Sequence, residues 1–156
     1  MLLHFAARAE HVARTIRPAL AAGMTVVCDR FTDSTMAYQG YGQGADRVQI
    51  DLLIGLVGLK PDLTYILDLP EQFATERMVA RGTMPDRYDR LGQGFHARVA
   101  EGFRAIAASA PNRCRLIDAS SSQGNVFEAL SVSLSRALQD RPGASATRLE
   151  AGKNQQ

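Results

Sequence analysis

The chain has 156 residues, of which 46% are hydrophobic and 22% are charged, and its formal net charge is +2. This length suits one domain with its own core, and the balanced charge argues against a nucleic-acid coat or a membrane-surface binder. No run approaches the ~18 apolar residues that a bilayer span needs, and the first residues lack a secretory signal. We therefore expect a cytoplasmic protein with neither a nucleic acid nor a membrane as partner.

The first predicted element is a long helix, and a short strand follows it. The helix is indicated over residues 2–21 by apolar residues at three- and four-residue spacing: Leu2, Phe5, Ala9, Val12, Ile16 and Leu20. Gly23 is placed to end it. The β-branched run at 24–28 is typical of a buried parallel strand, and the residues after it predict a loop and a short helix.

Three further elements are predicted after that short helix. Asp46 is placed to cap a helix that breaks at Lys60. Residues 63–69 form the second predicted strand. Pro70 opens another helix, which runs towards Arg81, because a proline costs little in the first turn of a helix.

The rest of the chain is predicted to contain a loop, two helices, a strand and a tail. The glycine- and charge-rich stretch at 81–94 predicts a mobile loop. The elements that follow are a helix at 95–109, a strand at 113–119, a helix at 122–139 and a disordered tail at 140–156. Strands that alternate with helices indicate an α/β fold, with a parallel sheet covered by helices, in one domain at 1–139.

Polar residues follow the first predicted strand in the stretch DRFTDSTMAYQG, residues 29–40. Open α/β sheets bind their ligands at the carboxyl ends of their strands, so this stretch is a candidate site. A guanidinium suits a phosphate group, but an Asp29–Arg30 pair is also compatible with an ordinary solvated loop. Thr35 and Tyr38 are three residues apart, so they are predicted to share a face of the short helix.

The two cysteines, Cys28 and Cys114, both fall in predicted strands. Two buried thiols are the default expectation for a cytosolic protein, and their spacing indicates no metal site. No residue is therefore predicted to be a direct metal ligand.

Several stretches together resemble the bacterial thymidylate kinases. They are DRFTDSTMAYQGYGQG, KPDLTYILDLP, the loop with ARG and DRYD, and the first helix, FAARAEHVARTIRPALAAG. The resemblance extends over roughly residues 2–139 and implies an α/β fold of the P-loop nucleoside monophosphate kinase type. It also implies transfer of a phosphoryl group from ATP to dTMP, with ATP as cosubstrate, Mg²⁺ as metal and a homodimer as the assembly.

One expected motif has no counterpart in this sequence. The family begins with a glycine-rich phosphate loop of the form G-x-x-x-x-G-K-[ST], and the one Gly-Lys pair here, Gly152–Lys153, precedes an asparagine. The sequence is therefore expected to be N-terminally truncated relative to the family, and this chain alone is expected to lack thymidylate kinase activity. Two alternatives stay open: a non-catalytic truncated remnant, or a kinase for another nucleoside monophosphate, against which STMAYQG argues.

The resemblance gives Arg30 and Asp29 roles at the acceptor phosphate. Arg30 would grip that phosphate with two hydrogen bonds, and the alternative is a structural ion pair. Asp29 would help to hold Mg²⁺ through water or orient Arg30, and a structural hydrogen bond is the alternative.

The same resemblance assigns the following residues to the nucleotide. Thr35 would hydrogen-bond the pyrimidine edge, Tyr38 and Gln39 would close around the nucleotide, and Ser34 belongs to the same group. Helix capping by Ser34 or Thr35 is the alternative.

In the first helix, Arg8 matches a family arginine that hydrogen-bonds the base. The family usually has an aromatic residue four positions before it, stacked on the pyrimidine, where this chain has His4. Either His4 stacks, or the neighbouring Phe5 does, or Phe5 belongs to the core as its spacing indicates.

The loop at 81–94 resembles the family's lid, which closes over ATP. Arg81 and Arg87 match recurring lid arginines with ATP-binding and catalytic roles. A solvated charged loop is the alternative reading of these residues.

Overall fold

The first helix of the computed structural model occupies residues 2–21, as the apolar spacing predicts. It consists of α1 (Leu2–His11), a π-helical turn (Val12–Ile16) and α2 (Arg17–Ala21). Pro18 lies two residues after the π-helical turn, and a proline has no N–H and crowds the turn before it, so the helix widens there. Gly23 adopts a φ of +76° after the last turn, which confirms that the helix ends at this glycine.

The structure describes residues 1–70, 73, 74, 77 and 91–139. Most of the predicted loop at 81–94, including Arg81 and Arg87, lies outside the described residues, as does the predicted tail at 140–156. The last residues of that predicted loop, Gln93 and Gly94, begin a helix instead.

The predicted strand at 24–28 is wrong. These residues belong to neither a helix nor a strand, within the described part of the chain no strand pairs with them, and Val27 is 90% exposed. Cys28 is exposed as well, which corrects the expectation of two buried thiols, whereas Cys114 is buried. A β-branched run becomes a strand only where another backbone bonds to it, and the local sequence does not report that partner.

Two helical segments carry the polar stretch and the connection after it. Helix α3 (Thr32–Thr35) runs into a π-helical segment (Met36–Gly42), and helix α4 (Arg47–Val57) follows. The Asp46 carboxylate accepts hydrogen bonds from two backbone N–H groups in the first turn of α4, at 2.8 and 3.4 Å, which confirms the predicted cap.

The other two predicted strands are confirmed and form a parallel pair. Strand β1 (Thr64–Asp68) pairs with β2 (Cys114–Asp118) residue for residue, from Thr64 opposite Cys114 to Asp68 opposite Asp118. Helix α5 (Gln93–Ser109) connects towards β2, and helix α6 (Gln123–Gln139) follows it. Phe73 and Ala74, three and four residues after Pro70, are helical, as predicted.

The core lies where α1, α4 and α5 meet the π-helical segment and the sheet. Ala37 and Ile50 are completely buried there. Helix α5 approaches the π-helical segment so closely that a Cβ atom on Gly102 would lie 2.7 Å from the Cβ and Cγ of Tyr41. Among the described residues, no helix is long and apolar enough to cross a bilayer.

Candidate functional site

Arg8 and Thr35 meet between α1 and α3, although 27 residues separate them in the sequence. Arg8 Nη1 donates a hydrogen bond of 2.6 Å to Thr35 Oγ1. Thr35 is buried, with 1% of its surface exposed, and Arg8 is half-buried. Burial lowers the pKa of the Arg8 guanidinium because desolvation disfavours the charged form. The fold thus holds a partly desolvated positive charge against a hydroxyl group.

The two candidates for stacking on a base differ in exposure. His4 is exposed on α1, while Phe5 is buried in the hydrophobic core, as its spacing predicts. The Arg8 guanidinium carbon lies 5.5 Å from the centre of the Phe5 ring. Phe5 therefore packs against the Arg8 guanidinium from the core, and His4 is the ring that is more accessible to a ligand.

Arg30 and Tyr38 form a second pair. Arg30 Nη2 donates a hydrogen bond of 3.2 Å to the Tyr38 hydroxyl, and the guanidinium carbon lies 5.0 Å from the centre of the Tyr38 ring. Arg30 also has a φ of +56°, a left-handed conformation that a residue with a bulky side chain rarely adopts. Strained backbone of this kind is concentrated at functional sites.

Tyr38 is fixed from its other side by α5. The rings of Phe95 and Phe103 each approach Tyr38 edge-on, with 6.1 Å between ring centres. Tyr38 therefore contacts α5 whereas Thr35 contacts α1. In a π-helix each backbone hydrogen bond spans five residues, so three residues turn through a smaller angle than in an α-helix. Thr35 and Tyr38 therefore contact different helices, although the sequence predicted that they share a face.

The other residues of the polar stretch differ in exposure. Gln39 is buried beside Tyr38, and Ser34 is half-buried on α3. Asp29 is exposed next to Arg30. In residues 1–70, 73, 74, 77 and 91–139, no three acidic, cysteine or histidine side chains lie together as a metal-ligand group.

The two arginines contact the same helical stretch, Arg8 through Thr35 and Arg30 through Tyr38. Cys28, two residues before Arg30, lies close enough to Arg8 to raise the pKa of its guanidinium, against the larger lowering by burial. Within the described part of the chain, neither Arg8 nor Arg30 forms an ion pair with a carboxylate. The helical stretch therefore contacts two positive charges that the described carboxylates leave unneutralised.

An ion pair that the sequence did not predict, between Asp33 and Arg113, connects α3 to the sheet. Arg113 donates two hydrogen bonds to the Asp33 carboxylate, at 2.6 and 2.8 Å, and a third to the Thr64 hydroxyl at 2.8 Å. The Asp33 carboxylate raises the pKa of the Arg113 guanidinium through this hydrogen bonding. The available signals were an acid within the polar stretch and an arginine directly before an apolar run, but nothing in their spacing pairs residues 80 positions apart.

A second aspartate–arginine pair lies at the opposite end of the sheet. Arg104 of α5 donates to both oxygens of the Asp68 carboxylate, at 3.0 and 3.1 Å, and this hydrogen bonding raises the pKa of Arg104. Asp118 lies beside Asp68 in the register, and hydrogen bonds from Ser120 lower the pKa of its carboxyl. The Asp68–Arg104 pair includes no residue of α3, so it is a natural comparison for the Asp33–Arg113 pair.

A groove of about 580 Å³ lies between β2 and α6. Its walls include Arg115, Glu128 and Arg136, and none of the residues that line it belongs to the polar stretch. The groove is therefore separate from the region around Arg8 and Arg30.

Residues 1–130 match the family model described as Thymidylate kinase. The chain belongs to the thymidylate kinase family. It is 49% identical over 143 residues to a thymidylate kinase of Chromohalobacter salexigens, an alignment that covers 90% of this chain and 66% of the relative. It is 47% identical over 145 residues to one from Gluconobacter oxydans, covering 90% of this chain and 65% of the relative.

A solved structure supports the same family and the predicted fold. The crystal structure of thymidylate kinase from Ehrlichia chaffeensis superposes with a TM-score of 0.64 at 37% sequence identity. The match covers 84% of this chain and 63% of that one. The α/β fold, with a parallel sheet covered by helices, is thus the P-loop nucleoside monophosphate kinase fold. The chain spans a little under two thirds of the length of these thymidylate kinases.

Proposed function

We propose that this protein transfers the γ-phosphoryl group of ATP to dTMP, giving dTDP and ADP. The observation that carries the proposal is the pair of guanidinium groups, Arg8 and Arg30, which no described carboxylate neutralises. Each of them is oriented by a hydroxyl group of the same helical stretch, Thr35 for Arg8 and Tyr38 for Arg30. Two oriented, unneutralised arginines favour an anionic ligand, and the family membership favours thymidylate.

Arg30 would hold the acceptor phosphate. Its contact with the Tyr38 ring fixes the plane of the guanidinium and uses one of five N–H donors, so the others remain for phosphate oxygens. Phosphoryl transfer depends mostly on positioning and charge neutralisation, which a guanidinium oriented by Tyr38 would supply.

Arg8 and Thr35 would read the base. Because the Thr35 oxygen accepts from Arg8, the hydroxyl proton is left to donate, so both residues present donors. The 4-position of thymine is a carbonyl acceptor, whereas that of cytosine is an amino donor. The pair therefore favours a thymine edge over a cytosine edge. Ser34, Gln39 and a stacking ring, His4 or Phe5, would complete the pocket.

ATP and Mg²⁺ are the cosubstrate and metal of this proposal. Arg81 and Arg87 are proposed to hold the ATP phosphates, although both lie outside the described residues. Mg²⁺ usually retains several waters, and the exposed Asp29 would help to hold the ion through one of them. When bound, the ion would neutralise charge on the transferring phosphate.

The assembly that we propose is a homodimer in the cytoplasm. Val48, Leu52 and Leu56 form a stripe along one side of α4 and are 69%, 67% and 80% exposed. Leu3 of the neighbouring helix α1 is 85% exposed. Exposed apolar side chains along one side of a helix are typical of a protein–protein interface.

Calorimetric titration of the purified protein with dTMP, thymidine and dCMP tests the proposed site. We expect dTMP to bind more tightly than thymidine, because only dTMP offers a phosphate to Arg30, and more tightly than dCMP. A coupled assay of ADP release from ATP, Mg²⁺ and dTMP tests the reaction. Equal affinities for dTMP and dCMP would overturn the assignment of Arg8 and Thr35, and phosphorylation of another monophosphate in preference to dTMP would overturn the substrate.

A further inference from the structure

We propose that Asp33 and Arg113 are positioning residues for the acceptor nucleotide. Their ion pair fixes the orientation of α3 and so keeps the Thr35 hydroxyl opposite Arg8. This inference rests on the proposed function, since it concerns how the same site selects its base.

The pair ties α3 to the start of both strands. Arg113 directly precedes β2, and Thr64 is the first residue of β1. Arg113 bonds to both carboxylate oxygens of Asp33, and the Thr64 hydroxyl donates to the same carboxylate at 3.3 Å. The side chains of Arg113 and Asp33 are only 24% and 14% exposed, so little water competes for these bonds.

The contacts of Asp33 hold the N-terminal end of a longer helical stretch. Helix α3 has four residues and continues without a break into the π-helical segment Met36–Gly42, so Asp33 is the second residue of that stretch. The segment that leads into it, residues 24–31, is not paired with any strand in the described part of the chain. The contacts of Asp33 with Arg113 and Thr64 therefore fix the end of the helical stretch that no paired strand precedes.

The anchor and the base-reading hydroxyl lie on opposite sides of α3. Asp33 and Thr35 are two residues apart, which places their side chains roughly 200° apart around a helix. Asp33 faces the sheet through Arg113 and Thr64, while Thr35 faces α1 through Arg8. A small rotation of α3 that relaxes Asp33 would therefore move the Thr35 hydroxyl away from Arg8.

The test compares Asp33→Asn, Arg113→Gln and the double variant with the unmodified protein. Calorimetry with dTMP and dCMP measures two quantities, the dTMP affinity and the ratio of the two affinities. We expect each single variant to weaken dTMP binding by about tenfold and to bring the ratio of dTMP to dCMP affinity closer to one. The double variant should be no worse than either single variant, because both changes break the same interaction.

Asp68→Asn is the matched control. It breaks a second aspartate–arginine pair of similar geometry that involves the same strand β1 but not α3. We expect this variant to keep both the dTMP affinity and the ratio, even where its thermal unfolding midpoint falls.

The possible outcomes separate this inference from the proposed function. An unmodified protein that does not bind dTMP overturns both. An unmodified protein that binds dTMP, with variants that keep its affinity and its preference, overturns the positioning role alone. Equal losses of dTMP and dCMP binding in the variants also overturn it, because they indicate a general loss of folded protein.

Discussion

At the scale of single residues, replacing Arg30 by lysine keeps the positive charge but removes the planar guanidinium that is proposed to bind the phosphate. We expect Arg30→Lys to weaken dTMP binding by more than about tenfold, because a point charge replaces a planar group with several parallel donors. Thymidine, which lacks the phosphate, should bind with unchanged affinity. Calorimetry with both ligands measures the difference.

Arg14→Lys is the control for Arg30→Lys. Arg14 is an exposed arginine that pairs with Glu10 on α1, and its replacement should change neither affinity. If Arg30→Lys weakened thymidine and dTMP binding by the same factor, Arg30 would act on the nucleoside or the fold and not on the phosphate.

Thr35 supplies the test of base recognition. Thr35→Val keeps the shape of the side chain but removes the hydroxyl, which leaves the Arg8 donor unmatched beside the bound base. We expect a loss of about 1–3 kcal/mol in dTMP binding, and no change in ATP binding. Thr35→Ser, which retains the hydroxyl, should retain most of the dTMP affinity, and a serine variant as weak as the valine variant would mean that the methyl group matters instead.

The rates at which the two cysteines are alkylated can be measured in the unmodified sequence. Cys28 is exposed and Cys114 is buried, and burial raises the pKa of the Cys114 thiol. The thiolate is the nucleophile, so an alkylating reagent at pH 8 should modify Cys28 and spare Cys114 in the folded protein. Because folding favours the protonated Cys114, this contribution to stability is present at low pH and is lost as the pH rises above the ordinary thiol pKa.

Bound dTMP should slow the modification of Cys28, which lies near Arg8 and two residues before Arg30. Peptide mass spectrometry at several times of reaction gives both rates. Modification of Cys28 at the same rate with and without saturating dTMP would separate this residue from the nucleotide site.

At the scale of elements, helix α5 holds the segment that carries Tyr38 through a contact that only glycine permits. A Cβ atom on Gly102 would lie 2.7 Å from atoms of Tyr41. We expect Gly102→Ala to lower the free energy of unfolding by about 1–3 kcal/mol, because the two helices must separate. Gly94→Ala in the same helix meets nothing closer than 3.7 Å and should cause no such loss in urea denaturation.

The elements that the sequence predicts well are those defined by their own residues. Helix 2–21, the Asp46 cap and strands β1 and β2 each follow from local spacing or a local hydrogen bond. The strand predicted at 24–28 is wrong because strand pairing depends on a neighbouring strand that the local sequence does not specify. The Asp33–Arg113 pair is missed for the same reason, since a side chain's partner 80 residues away is a property of the fold.

At the scale of the whole molecule, the candidate site is an assembly of elements that are distant in sequence. Arg8 comes from α1, Thr35 from α3, and the rings that fix Tyr38 from α5. These residues were predicted to belong to the site because the sequence around them resembles that of the thymidylate kinases. Their pairing, Arg8 with Thr35 and Arg30 with Tyr38, needed the packing of the helices, and Phe5 is placed in the core by periodicity alone.

The association of two copies is the last property of the whole molecule that can be tested. A stable homodimer usually buries about 1,200–2,000 Å² or more, so we expect the interface to include residues beyond the apolar stripe on α4. We expect Leu52→Glu to convert a dimer to a monomer in sedimentation equilibrium, because it places a charge in the middle of the stripe. The unfolding midpoint of the monomer should change little, since the Leu52 side chain is exposed. Phe127→Glu on α6 is the control, as Phe127 is 70% exposed and lies outside the stripe. Dissociation by Phe127→Glu, with a dimer retained in Leu52→Glu, would move the interface from α4 to α6.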